Sequence, residues 1–189
     1  MPPRIGTRPP SAVDSLLDRL VDVPVADISD AVGRFYTMDP GIRPLHTPVR
    51  RTVGRALTVK AVPGDNLAVH GALGMVSARD VLVVDWLGYT GGCGSGALSL
   101  VGPVARGLAG LVVDGGWRDV AELAGQGFPV FGRCEATFSP AKREPGEINV
   151  PVCCGGVIVE PGDVVVADQA GAAVIPLRHL AEVVRAVTG

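Results

Sequence analysis

Aromatic side chains make up only 4% of this 189-residue chain, so its core cannot be built on bulky rings and must rest on Val, Leu and Ala. A basic stripe is also missing. The 17 Lys and Arg stand against 19 Asp and Glu for a net charge of −2, and the pairs Arg50-Arg51 and Lys142-Arg143 are isolated. That pattern argues against a phosphate-backbone footprint, and so against direct nucleic-acid binding. No run approaches the ~18 uninterrupted apolar residues of a membrane-spanning helix, and the opening Met1-Pro-Pro-Arg-Ile-Gly-Thr-Arg-Pro-Pro10 lacks the apolar stretch of a secretory leader. A cytoplasmic protein without a membrane partner is expected. The cysteines, at positions 93, 134, 153 and 154, show no C-x-x-C spacing. The adjacent pair suits neither an ordinary disulfide nor a zinc knuckle, so all four are expected as buried or half-buried thiols.

Glycine is abundant instead: 26 residues, about double the usual ~7% share, which points to turns and close backbone approaches. The length suits one domain with a proper core. Residues 1–10 are expected to be mobile and 11–189 to form that single domain. Helical spacing marks Ser11 to Leu20, a short helix from Asp27 or Ser29 to Arg34, and Asn66 to Ala78. It also marks Gly96 to Gly107, carrying Pro103, then Val120 to Gly125 and Arg178 to Val187. Strands are expected at Arg55 to Val62, Asp80 to Asp85, Leu108 to Asp114 and Pro129 to Arg133, followed by a run of short strands between Asn149 and Pro176. The alternation argues for an α/β fold with a central β layer flanked by helices.

The most informative residues are Arg118 and Asp119 in Gly110-Leu-Val-Val-Asp-Gly-Gly-Trp-Arg-Asp-Val-Ala-Glu-Leu123. An apolar strand delivers an adjacent cation and carboxylate into a Gly-rich turn. Arg offers a planar fork that matches a carboxylate, and Asp offers a hard oxygen for Mg²⁺. The same residues also read as a capping box, Asp119 with Glu122, opening a helix.

Several segments, in order, resemble the RraA-like family: Asp27-Ile-Ser-Asp-Ala31, Gly41-Ile-Arg-Pro-Leu45, Gly54-Arg-Ala-Leu-Thr-Val59, Pro63-Gly-Asp-Asn-Leu67, Asp80-Val-Leu-Val-Val-Asp85, Asp114-Gly-Gly-Trp-Arg-Asp119, Gly127-Phe-Pro-Val-Phe131, Asn149-Val-Pro-Val152 and Pro161-Gly-Asp-Val-Val-Val-Ala-Asp168. The resemblance spans about residues 25 to 177. It implies an α-β-β-α sandwich of the swivelling-domain type, assembled as a ring-like trimer or a dimer of trimers with each site at a subunit interface.

By the same resemblance, the activity is that of a metal-dependent lyase forming pyruvate enolate from small 2-oxo acids, as in 4-hydroxy-4-methyl-2-oxoglutarate aldolase or oxaloacetate decarboxylase. Arg118 then holds the pyruvate carboxylate and Asp119 binds Mg²⁺ or Mn²⁺ through a water-rich shell. Backbone amides along Gly96-Ala97-Leu98-Ser99 complete the pocket, and Asn66 is a substrate-facing candidate. The family's aldolases carry a carboxylate twenty-two positions before the metal Asp, and here that position is Ala97. Losing such an outer acid commonly costs ~10–100-fold in metal affinity or activity. Ser95 and Ser99 read either as water-holding hydroxyls or as helix-entry residues, Asp85 as a possible outer acid, Asp114 and Asp65 as turn formers, and none of the histidines as a metal ligand. The alternative reading is a non-catalytic RraA-like binding protein that regulates a ribonuclease or another partner.

Overall fold

The computed structural model describes residues 2–10 and 13–189. In chain order the elements are β1 (Arg4–Ile5), α1 (Asp14–Leu20), α2 (Val25–Val32), β2 (Arg43–Pro44), β3 (Thr52–Lys60), α3 (Leu67–Leu73), β4 (Asp80–Cys93), α4 (Ala97–Ala105) and β5 (Gly110–Trp117). They continue with α5 (Val120–Gly125), β6 (Val130–Glu135), β7 (Glu147–Ile148), β8 (Val152–Cys154), β9 (Val157–Val159), β10 (Val164–Asp168), β11 (Gly171–Ile175) and α6 (Leu180–Thr188).

Strands β3, β4, β5 and β6 run parallel, joined by crossovers through α3, α4 and α5. Both faces of these strands are covered, which explains their near-continuous apolar runs. Period-two alternation then sorts the side chains. Leu57, Leu82, Val84, Leu111, Val113 and Val130 face α3, α4 and α5. Ala56, Val81, Val83, Val112 and Phe131 face the opposite way, against Val165, Ala167, Ala172 and Val174 of the β10–β11 hairpin and against β8 and β9. The other side of that hairpin, Val164, Val166, Ala173 and Ile175, packs on α1, α2 and α6 through Leu17, Leu20, Ile28 and Val184. The layers therefore run helix, sheet, sheet, helix, the expected α-β-β-α sandwich.

Strand β3 joins the two sheet regions. Its first residues pair antiparallel with β10 and its last two with β7.

Two expectations change, and the opening segment makes contacts of its own: Arg4 and Ile5 pair with Glu147 and Ile148, and Arg8 Nη1 lies 2.6 Å from Asp80 Oδ1, a carboxylate with no solvent exposure. A buried acid needs a paired cation, and here the N-terminal segment supplies one. Strand β4 runs eight residues past Asp85, with shifts in register at Tyr89 and Cys93. Positive φ at Leu87 and Gly88 (53° and 71°) makes the bulge that lets the Gly-rich segment stay on the sheet. Among the cysteines, Cys153 is exposed, because its neighbour Cys154 takes the inward position on a short hairpin strand. Residues Ser11 and Ala12, at the start of the first expected helix, lie outside the described residues.

Candidate functional site

Parallel strands ending at one edge of a sheet commonly border a cleft, and here the ends of β4 and β5 do so. Gly94 N–H donates to Gly116 O at 2.8 Å, and Arg118 N–H donates to Ser95 O at 3.2 Å. These bonds stitch the exit of β5 to the entry of α4. Asp119 then takes a left-handed conformation, φ 59°, which Asp tolerates better than most residues.

That backbone turn redirects its side chain. No capping box forms at α5: the Asp119 carboxylate makes no cap bond to its own helix, and Val120 N–H is taken by Glu135 Oε1 at 3.2 Å. Asp119 Oδ2 instead accepts from Ala97 N–H at 3.1 Å, at the first turn of α4. A carboxylate there is favoured by the unpaired amides and the helix dipole. Arg118 Nε lies 3.7 Å from the same oxygen, is buried, and has no hydrogen-bond partner among the described residues. Its Nη1 donates to Ser139 Oγ at 2.9 Å. Roughly two-fifths of each side chain is exposed (41% and 40%), so both can meet a solute.

The cleft around them has a volume of about 280 Å³ and is lined by Asn66, Ser95, Gly96, Leu98, Ser99, Arg118 and Asp119, together with His70, Ser139, Pro140 and Lys142. The expected residues thus converge, with one exception. Ala97 is 1% exposed and packs in the core, and its N–H, expected to face a substrate carboxylate, is occupied by Asp119. The two serines form a chain: Ser95 Oγ donates to Ser99 Oγ and Ser99 Oγ to Gly96 O, both at 2.7 Å. Both hydroxyl hydrogens are thereby spent, while acceptor lone pairs remain on each oxygen.

His70, Ser139, Pro140 and Lys142 escaped the sequence reading. His70 stands one helical turn after Asn66, an i,i+4 spacing that signals a shared face. The loop from Ala136 to Pro145 carries no such period. It is fastened by Cys93 N–H to Phe138 O at 3.0 Å and by Asn66 N–H to Ala141 O at 2.9 Å. Asp65 anchors its far end, its Oδ2 accepting from the backbone N–H groups of Arg143 (2.6 Å) and Glu144 (3.1 Å). Burial pushes the Asp65 carboxyl upward, but these amides, with that of Leu67, outweigh it and hold the group below its ordinary value.

Burial, reinforced by the nearby Lys142 cation, lowers the pKa of His70. Burial likewise raises the Cys93 thiol despite the neighbouring Arg118, leaving a protonated and poorly nucleophilic sulfur. Asp85 is no part of the site: its oxygens accept from Leu87 N–H and Cys153 N–H, each at 3.1 Å. Asp114 ties Gly155 N–H (2.9 Å) to the Arg133 guanidinium, which also reaches Asp39 at 3.0 Å.

No cluster of three or more His, Cys, Asp or Glu suited to a metal occurs among the described residues. Any divalent ion in the cleft would therefore bind Asp119 and otherwise keep its waters, a habit of Mg²⁺. The donor set fits that mode, since no hydrogen bond among the described residues engages Asp119 Oδ1. No helix among the described residues is long and apolar enough to cross a membrane.

Comparison with known proteins places the chain. A family model described as "RraA-like: Aldolase/RraA" matches residues 25–174. A protein of Halalkalibacterium halodurans named "Putative 4-hydroxy-4-methyl-2-oxoglutarate aldolase" is 39% identical over 154 residues, covering 82% of this chain and 73% of that one. Among solved structures, Streptomyces coelicolor RraAS2, described as an unusual member of the RNase ES inhibitor RraA family, superposes with a TM-score of 0.82 at 30% identity, over 95% of this chain and 92% of that one. The RNA-processing inhibitor RraA from Thermus thermophilis gives 0.73 at 28% identity, over 82% and 93%. By sequence and by the sandwich that carries Arg118 and Asp119 to the mouth of α4, the chain belongs to the RraA-like family.

Proposed function

We propose that the chain is a divalent-metal-dependent carbon–carbon lyase that releases pyruvate from small 2-oxo acids, of the 4-hydroxy-4-methyl-2-oxoglutarate aldolase or oxaloacetate decarboxylase type. The observation that carries this reading is the single cleft in which the Arg118 guanidinium and the Asp119 carboxylate stand 3.7 Å apart, with Lys142 lining the same cleft. Two cations and one metal-competent acid around so small a volume suit a compact dianion that also chelates a metal. Names of relatives point the same way.

Asp119, with its solvent-facing oxygen, would hold Mg²⁺ or Mn²⁺. A divalent ion there supplies positive charge where an enolate develops. Arg118, whose side chain is 41% exposed, would grip the substrate carboxylate with the outer end of its guanidinium and add positive potential on the other side. The ring of Pro140 and the exposed Leu98 side chain narrow the cleft and limit water. Leu98 and Val101 present apolar surface at 86% and 58% exposure beside the cleft. This supports a homotrimer, or a hexamer of two trimers, in which a neighbouring copy covers α4 and completes the site.

The buried Ala97, without the outer acid of the family's aldolases, favours a second reading: a non-catalytic binding protein akin to the RNA-processing inhibitors. A pyruvate-release assay on oxaloacetate and a panel of 4-hydroxy-2-oxo acids separates the two. Release that requires Mg²⁺ or Mn²⁺ and stops with a chelator is expected. No release from any of these substrates by a metal-loaded, folded oligomer would leave the binding protein.

A further inference from the structure

The opening segment lies ahead of residue 25, where the match to the family begins, and it follows one edge of the main sheet through specific contacts. Arg4 N–H donates to Gly146 O at 3.2 Å and Gly6 N–H to Ile148 O at 2.8 Å, so β1 lies alongside β7. Gly6 passes so close that a methyl group there would lie 2.1 Å from Asn149 O, a backbone atom, and only glycine fits such an approach. A methyl on Gly71 of α3 would come within 3.7 Å of Pro3 Cγ, which sets the segment against that helix as well. Farther along, Arg8 reaches the fully buried Asp80 at 2.6 Å, while Arg55 Nη2 stands 3.9 Å from the same oxygen.

The edge so covered is the anchor of a cleft-lining loop. Ser139, Pro140 and Lys142 line the cleft, and the chain runs from them into Gly146 and β7. Gly146 has a φ of 57°, and a methyl on it would lie 2.6 Å from Lys60 O and 2.7 Å from Ala68 Cβ. It is wedged between β3 and α3. Among the described residues β7 pairs with β3 on one side and with β1 on the other, and so short a strand depends on both neighbours. We propose that the opening segment is a strap, latched by Arg8 on Asp80, that clamps β7 from outside and thereby holds the loop bearing Ser139 and Lys142 at the cleft. Arg8 is a positioning residue that acts through β7. Undocking the strap loosens one wall of the cleft while the sheet stays folded, and a solute that orders this loop must tighten the strap by the same factor.

Hydrogen–deuterium exchange on the intact protein, read by mass spectrometry, tests the latch. Arg8→Met removes the cation but strands a buried carboxylate, which can destabilise the whole chain. A second variant, Arg8→Met with Asp80→Asn, removes both charges and keeps an acceptor for the Ser77 amide. In both, amides of residues 138–148 should exchange about tenfold faster, the worth of the two backbone hydrogen bonds to β7. Residues 120–125 and 164–175 should keep their rates, and Arg8→Lys should restore most of the protection. Faster exchange at residues 4–6 with wild-type rates at 138–148 would overturn the proposal, leaving the strap a passive cover. So would wild-type rates throughout, or, in the charge-free variant, a rise spread evenly over the chain. A kinetic arm rests on the lyase reading above: KM for oxaloacetate should rise with kcat nearly unchanged. If the wild-type protein releases no pyruvate, that reading fails, and the exchange rates still decide the strap.

Discussion

A methyl group placed on Gly96 would lie 2.8 Å from Arg118 Nε and 3.0 Å from Arg118 Cγ, and closer still to Asp119 Oδ2. Gly96→Ala therefore strikes both site residues while adding a single carbon. Ordinary contact requires the carboxylate to retreat by roughly 1 Å, which breaks its 3.1 Å bond to Ala97 N–H. A misplacement of that size costs about 10²-fold in rate when the group acts on the reacting centre. The stability cost is smaller, because Asp119 is 40% exposed on its side chain and water replaces much of the lost bond. About 1 kcal/mol is expected, a fall in Tm of about 2–4 °C for a chain of this length. Gly102→Ala is the matched control. Its methyl meets only Arg106 Nη1 at 3.4 Å, and removing a helix glycine should stabilise by about 0.5–1 kcal/mol. Metal-dependent pyruvate release and thermal melts on both variants give the comparison. Wild-type turnover by Gly96→Ala would refute the geometry of Asp119 at the mouth of α4.

Arg118→Lys keeps the charge but loses the planar fork, so KM for 2-oxo acids should rise about tenfold or more in steady-state kinetics while the melt stays unchanged. Arg133→Met strips the buried Asp114 carboxylate, 8% exposed on its side chain, of its cation and leaves it the Gly155 amide. A loss of about 3 kcal/mol in urea unfolding is expected. His70 has a folded pKa below its ordinary value, so the unfolded chain binds more protons and stability rises with pH up to about 6.5. Urea midpoints at about pH 5.5 and 7.5 should differ less in His70→Gln, because that proton uptake is gone. Val101→Glu places a charge on the exposed apolar face of α4, and if that face joins subunits as proposed, sedimentation should show a smaller assembly than for the wild-type protein.

The sheet was legible because burial on both faces writes itself as apolar runs: β3, β5 and β6 fall within a few residues of their expected spans. Strand β4 beyond Asp85 was not, since Leu87-Gly88 and Gly91-Gly92 look like loop and only the cross-strand register keeps them in the sheet. Arg118 and Asp119 were visible as a chemical pair. Their arrangement was not, because the capping-box pattern is local, whereas the left-handed φ of Asp119 and the partner at Ala97 depend on the α4 entry folding beside β5. The loop bearing Ser139 and Lys142 has no periodicity, and reaches the cleft through backbone bonds to Cys93 and Asn66. Sequence gives no hint of those bonds.

The most direct test is titration of Mn²⁺ into the protein in the presence of oxalate, a planar mimic of pyruvate enolate, followed by electron paramagnetic resonance. One Mn²⁺ per subunit should bind, tightened by oxalate, and Asp119→Asn should abolish that binding. Undiminished Mn²⁺ and oxalate binding in Asp119→Asn, or none in the wild-type protein, would contradict a metal-dependent site built on Arg118 and Asp119.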